Sequence, residues 1–164
     1  HVLAGEDSFT RTTVEFDKYL EIVNGHKLAF RLKAGGGYPS DKYLYYLGSD
    51  AGLRGYSFKE VKGSSVLLGS AEYRFPLLNH MDGRFPFNIL TLDQIQGVLF
   101  FDAGSAWFNH FNEPGFKKDA GLGFRFYFNI AGAAERFALR LDIASPLGGE
   151  DKDTHVWVGL NHAF

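Results

Sequence analysis

The residues best equipped for chemistry are one arginine and two acids that strand spacing can bring to it. Arg54 stands in Leu53-Arg54-Gly55-Tyr56, inside a Gly- and Tyr-rich segment (37–64) far longer than a hairpin needs. Its guanidinium offers five donors in a planar fork that suits carboxylates. Glu72 and Asp102 each fall on the charged face of a predicted strand, and neighbouring antiparallel strands lie about 4.8 Å apart, within reach of one guanidinium. Two readings stay open on these residues alone. Arg54 is either a solvated loop charge, or the tip of a loop folded back into a barrel and docked on acids of its wall. Arg140 and Asp142 share a face and read as a lumen ion-pair network, not as a catalytic pair. The six histidines (His1, His26, His80, His110, His155, His162) have no metal-ligand spacing. No Ser/His/Asp order, nucleophile elbow or phosphate loop appears, and Gly35-Gly36-Gly37 opens no helix. The expectation is a non-enzymatic chain with no cofactor and no metal.

The elements that must position Arg54 are strands. Aromatic residues make up 16% of the chain, with 17 Phe and 20 Gly, a composition of all-β proteins. The net charge of −2 gives no nucleic-acid footprint, and the lack of cysteine removes disulfides and thiolate metal sites. No run of 18 apolar residues occurs, which excludes a transmembrane helix but not a membrane barrel. Residue 1 is a His and no signal peptide is present, the expectation for a processed product or an excised piece. All 164 residues are expected to form one β-barrel domain.

Alternation predicts strands over 10–23 and 26–36, joined by the hairpin turn Asn24-Gly25, with Gly35-Gly36-Gly37 and Pro39 ending the second. Further strands are predicted over 65–78, 94–108, 118–130, 136–147 and 154–164. In 118–130, Ala120, Leu122, Phe124, Phe126, Phe128 and Ile130 share one face, opposite Asp119, Gly121, Gly123, Arg125, Tyr127 and Asn129. Seven strands result, mostly longer than the usual 5–6 residues and suited to a tilted membrane strand of about 9–11. The aromatic and Leu faces fit lipid, and the faces mixing Gly with charge fit a crowded lumen wall. Tyr43, Tyr45, Tyr46, Trp107 and Trp157 are candidates for membrane-interface aromatics, with loop packing an equal reading for the first three. A soluble, lipocalin-like binder is the competing all-β reading.

Five motifs, in order, then carry a resemblance. Leu53-Arg54-Gly55-Tyr56, preceded by Tyr45-Tyr46-Leu47-Gly48, resembles the sixth-loop motif of BamA- and TamA-type outer-membrane barrels, the bacterial surface antigen superfamily. The stretches 69–77, 98–107 and 140–147 resemble that family's following strands. Trp157-Val158-Gly159-Leu160-Asn161-His162-Ala163-Phe164 resembles its C-terminal insertion signal. Three departures stand out: Ser49 replaces a second glycine, His162 a more apolar aromatic, and Trp157 a position where a polar residue is common.

The resemblance implies an antiparallel transmembrane β-barrel of about 16 strands, of which this chain supplies the C-terminal seven, with soluble periplasmic repeats upstream. The odd count agrees with missing strands, because bacterial barrels are even-numbered. A small barrel of about eight strands, completed by residues 1–7 or by a second copy, is the alternative. The resemblance also implies a structural lock in which Arg54 pairs with Asp102, with Glu72 nearby, Gly55 allows close approach and Tyr56 stacks on the wall. Trp157, Gly159, Leu160, His162 and Phe164 become the insertion signal and one side of a lateral gate. The implied function is insertion or translocation of proteins at the bacterial outer membrane. The alternative is an anchor or secretion pore for a fused N-terminal domain such as a patatin-like lipase. The implied partners are outer-membrane lipids, the barrel-assembly machinery and a client or passenger protein, with self-association open and nucleic acid not expected.

Overall fold

The computed structural model describes residues 8–79, 83–84, 90–108, 115–130, 136–148 and 153–160. Asn24 and Gly25 both take positive φ, 37° and 84°, as a two-residue hairpin turn requires. They join β1 (Thr10–Val23) to β2 (His26–Tyr38). The register places Glu15 opposite Lys33 and Asp17 opposite Arg31. Those pairs close at 2.8 and 2.9 Å, so cross-strand charge supports the pairing the turn sets.

Beyond β2 the chain makes a small hairpin of β3 (Tyr45–Leu47) and β4 (Val61–Gly63), then returns to the sheet. β5 (Ser65–Leu78), β6 (Gly83–Arg84), β7 (Leu90–Trp107), β8 (Lys117–Ile130), β9 (Arg136–Pro146) and β10 (His155–Leu160) follow. The main sheet runs β1-β2-β5-β7-β8-β9-β10, with β6 beside β7. Every pairing is antiparallel. Among the described residues β1 and β10 are free edges, so the sheet is open.

Where they are described, the seven strands of the main sheet follow the alternation, and two ends differ from expectation by two residues or more. β7 begins at Leu90, four residues before the expected start. β2 continues through Gly35-Gly36-Gly37 to Tyr38, where the glycines were expected to end it. Glycine weakens a strand interior, but here it makes room. A Cβ on Gly35 would stand 2.7 Å from Cζ of Tyr45, so the strand passes under the loop only without a side chain there.

The two faces are inverted relative to a water-soluble sheet. Phe16, Leu32, Leu99, Phe101, Leu122 and Val158 are exposed on one face. Glu72, Asp102, Asp119, Arg125 and Asp142 are buried on the other, the inner face, under the loop between β2 and β5. Exposed aromatic and aliphatic bands opposite a buried charged face are the arrangement of a lipid-facing wall.

Candidate functional site at the loop tip

The loop carries its own core. Leu44, Tyr45, Leu47, Leu53, Tyr56 and Val61 pack with Val66 and Leu68 of β5. Its base is tied to β1. The Tyr45 hydroxyl donates to the Thr12 carbonyl at 2.6 Å, and Arg11 donates to the Leu44 carbonyl at 3.1 Å. The tip closes on itself through Gly48 N–H to the Gly52 carbonyl (2.8 Å) and Ser49 N–H to the Tyr56 carbonyl (3.0 Å). Leu53 takes φ of 63°, uncommon for a residue with a branched side chain, yet is fully buried. Packing on both sides fixes that conformation, and it aims the next side chain at the wall.

That side chain is Arg54. Its Nε and Nη2 donate to Asp102 Oδ2 and Oδ1 at 2.8 and 3.0 Å, a bidentate fork. Its Nη1 donates to Glu72 Oε1 at 2.6 Å and to Asp142 Oδ2 at 3.3 Å. The guanidinium carbon lies 3.5 Å above the ring centre of Phe100, so its face is covered while its edge is saturated by acids. Burial alone would lower the Arg54 pKa. The bond to Asp102 and the charges of Asp102, Glu72 and Asp142 outweigh burial and hold it above its ordinary value, so the residue stays cationic.

Three other arginines complete the cluster. Arg74 reaches Glu72 at 2.7 Å, Arg125 donates to Asp142, and Arg140 reaches Asp142 at 2.9 Å. Among the described residues Arg54 is the cation on Asp102, whereas Glu72 and Asp142 each share other arginines. Gly123 on the inner face leaves the space that the Arg125–Asp142 pair occupies. Asp119 faces Asp102 across the β7–β8 ladder, fully buried, with Gly55 of the loop tip against it.

Gly55 is pressed on the wall: a Cβ there would stand 2.9 Å from the Ser145 carbonyl carbon and 3.0 Å from the Pro146 nitrogen. Tyr56 donates its hydroxyl to the Lys118 carbonyl at 3.0 Å, with the Lys117 ammonium 4.6 Å from its ring centre. The structure therefore brings Leu53, Arg54, Gly55, Tyr56, Glu72 and Asp102 into one site.

Asp142, Phe100 and Arg125 belong to the site and were not assigned to Arg54 from sequence. Their parity on the inner face was the available signal. Trp157 differs from its expectation as a membrane-interface aromatic. Its parity is opposite to exposed Val156 and Val158, and its indole N–H donates to the Arg54 carbonyl at 2.5 Å. Leu160 is exposed on the outer face, and Gly159 pairs with Arg140. His162 and Phe164 lie outside the described residues. Tyr45 is a buried loop residue, whereas Tyr43 and Tyr46 are exposed beneath Lys62 and Lys59.

Within the cluster, Arg54, Arg74, Arg125 and Arg140 all pair with carboxylates. This arrangement holds a loop against five successive strands, β5 and β7 to β10. Comparison with known proteins gives one family finding. The Omp85 superfamily domain matches residues 1–160. No curated protein matches the chain. Omp85 proteins are β-barrels of the bacterial outer membrane, and the family is involved in outer-membrane protein insertion and translocation. The inverted faces, the antiparallel sheet and the family match lead to one conclusion: the chain belongs to the Omp85 superfamily, and its strands are wall of an outer-membrane β-barrel.

Proposed function

We propose that the chain is the C-terminal wall of a BamA- or TamA-like barrel that inserts or translocates client proteins and carries out no covalent chemistry. Upstream strands complete a barrel of about 16, and soluble periplasmic repeats precede it. The observation that carries the reading is Arg54, buried on Asp102, Glu72 and Asp142 at the tip of a loop folded against the inner face. Such a tip acts as a structural lock: it braces the wall from within and leaves the lipid face untouched. β10 forms one side of the seam with the first strand, and Trp157, Gly159, Leu160, His162 and Phe164 of the chain's last stretch form the insertion signal. The partners are outer-membrane lipids, the assembly machinery and the client.

Depletion of the full-length protein in its own cells tests this. The expected result is a fall in folded, heat-modifiable outer-membrane barrels or in an exported client. Unchanged barrels and clients, with loss only of a domain fused to this chain, would assign it instead as an anchor or secretion pore.

A further inference from the structure

β10 stands at an edge of the described sheet. Among the described residues its six residues pair on one side only, with β9. An edge strand, paired on one side, is the part of a sheet that opens first. Yet its inner face is engaged. Trp157 lies opposite Asp142 in the ladder, and its indole N–H donates to the backbone carbonyl of Arg54 at 2.5 Å. His155, two residues earlier on the same face, stacks on the indole with centroids 6.0 Å apart and planes 5° from parallel. The Ser49–Ala51 turn of the loop also packs on β10.

The acceptor decides what this contact can do. It is the carbonyl of Arg54, and the side chain of the same residue is clamped by Asp102, Glu72 and Asp142. Pinning the guanidinium therefore fixes the carbonyl, and the carbonyl holds Trp157. We propose that Trp157 is a positioning residue that ties the edge strand to the loop tip, so that the loop braces the seam and its release frees β10. A phenylalanine at 157 would keep the ring stack and lose the donor. Trp157→Phe then loosens β10 alone, whereas weakening the clamp at Arg54 loosens both the loop and β10.

The inference rests on the reading of β10 as a seam strand, and hydrogen–deuterium exchange of the full-length protein in nanodiscs separates the two. In the wild type, residues 155–160 should exchange faster than residues 139–144. Equal protection of both would overturn the seam reading. Trp157→Phe should speed exchange at 155–160 by about three- to tenfold, the worth of one hydrogen bond, with 48–57 unchanged. Arg54→Lys, which keeps the charge but not the bidentate fork, should speed both segments. The brace is overturned, with the seam reading intact, if Trp157→Phe leaves a fast-exchanging 155–160 unchanged. It is equally overturned if Arg54→Lys speeds 48–57 but not 155–160.

Discussion

Replacing Arg54 by alanine removes the one cation on Asp102 among the described residues, and Asp102 is almost fully buried. Glu72 keeps Arg74 and Asp142 keeps Arg125 and Arg140, so the damage concentrates on one orphaned carboxylate. Breaking a buried pair by deleting one partner costs about 3–5 kcal/mol. A hydrated lumen favours the lower end, and about 3 kcal/mol is roughly 150-fold in the equilibrium between a docked and a released loop. Loss of the Phe100 stack adds about 0.5–2 kcal/mol. The assay is the rate of protease cleavage within residues 43–60 of the membrane-embedded, full-length protein, under conditions where cleavage follows the open population. Arg54→Ala should raise that rate by about two orders of magnitude. Adding Asp102→Asn should recover part of the loss, because the orphaned charge is then gone. A cleavage rate within about threefold of wild type in Arg54→Ala would refute the reasoning, since less than about 0.7 kcal/mol would then hold the tip.

Two further substitutions separate packing from charge. Gly55→Ala puts a methyl against the backbone of Ser145 and Pro146, and overpacking of about 1–3 kcal/mol should speed the same cleavage by roughly 5- to 150-fold; an unchanged rate would mean that the tip does not sit on β9. Asp119→Asn replaces a fully buried carboxyl opposite a second acid with a neutral amide of the same size, so it should leave the loop protected and raise the midpoint of thermal unfolding; a lower midpoint would show that the carboxyl is needed.

Much of the wall was legible because a period of two is written directly in the residues. Phe and Leu alternate with Gly and charge through β8, and the inverted burial follows that parity. Glu72 and Asp102 were readable as inner-face acids on strands that proved adjacent. What alternation cannot give is the depth at which a loop tip meets a tilted sheet. Asp142 and Trp157 reach Arg54 from β9 and β10 because of strand stagger, a property of the whole sheet. The three glycines of β2 misled for another reason. Glycine is read locally as a strand breaker, and only the Tyr45 ring above it shows why a side chain is excluded. The internal β3–β4 hairpin was similarly hidden in a segment whose aromatic residues pack on their own loop.

The central claim is that the loop tip is buried against the inner wall and held there by Arg54. The chain has no cysteine, so single substitutions give clean reporters. Leu53→Cys places a thiol where the side chain is 0% exposed, and Phe58→Cys places one where it is 62% exposed on the same loop. Labelling of the membrane-embedded protein with a bulky water-soluble maleimide should modify Cys at 58 and spare Cys at 53, and Arg54→Ala should make position 53 reactive. Equal labelling at 53 and 58 with Arg54 in place would contradict the account.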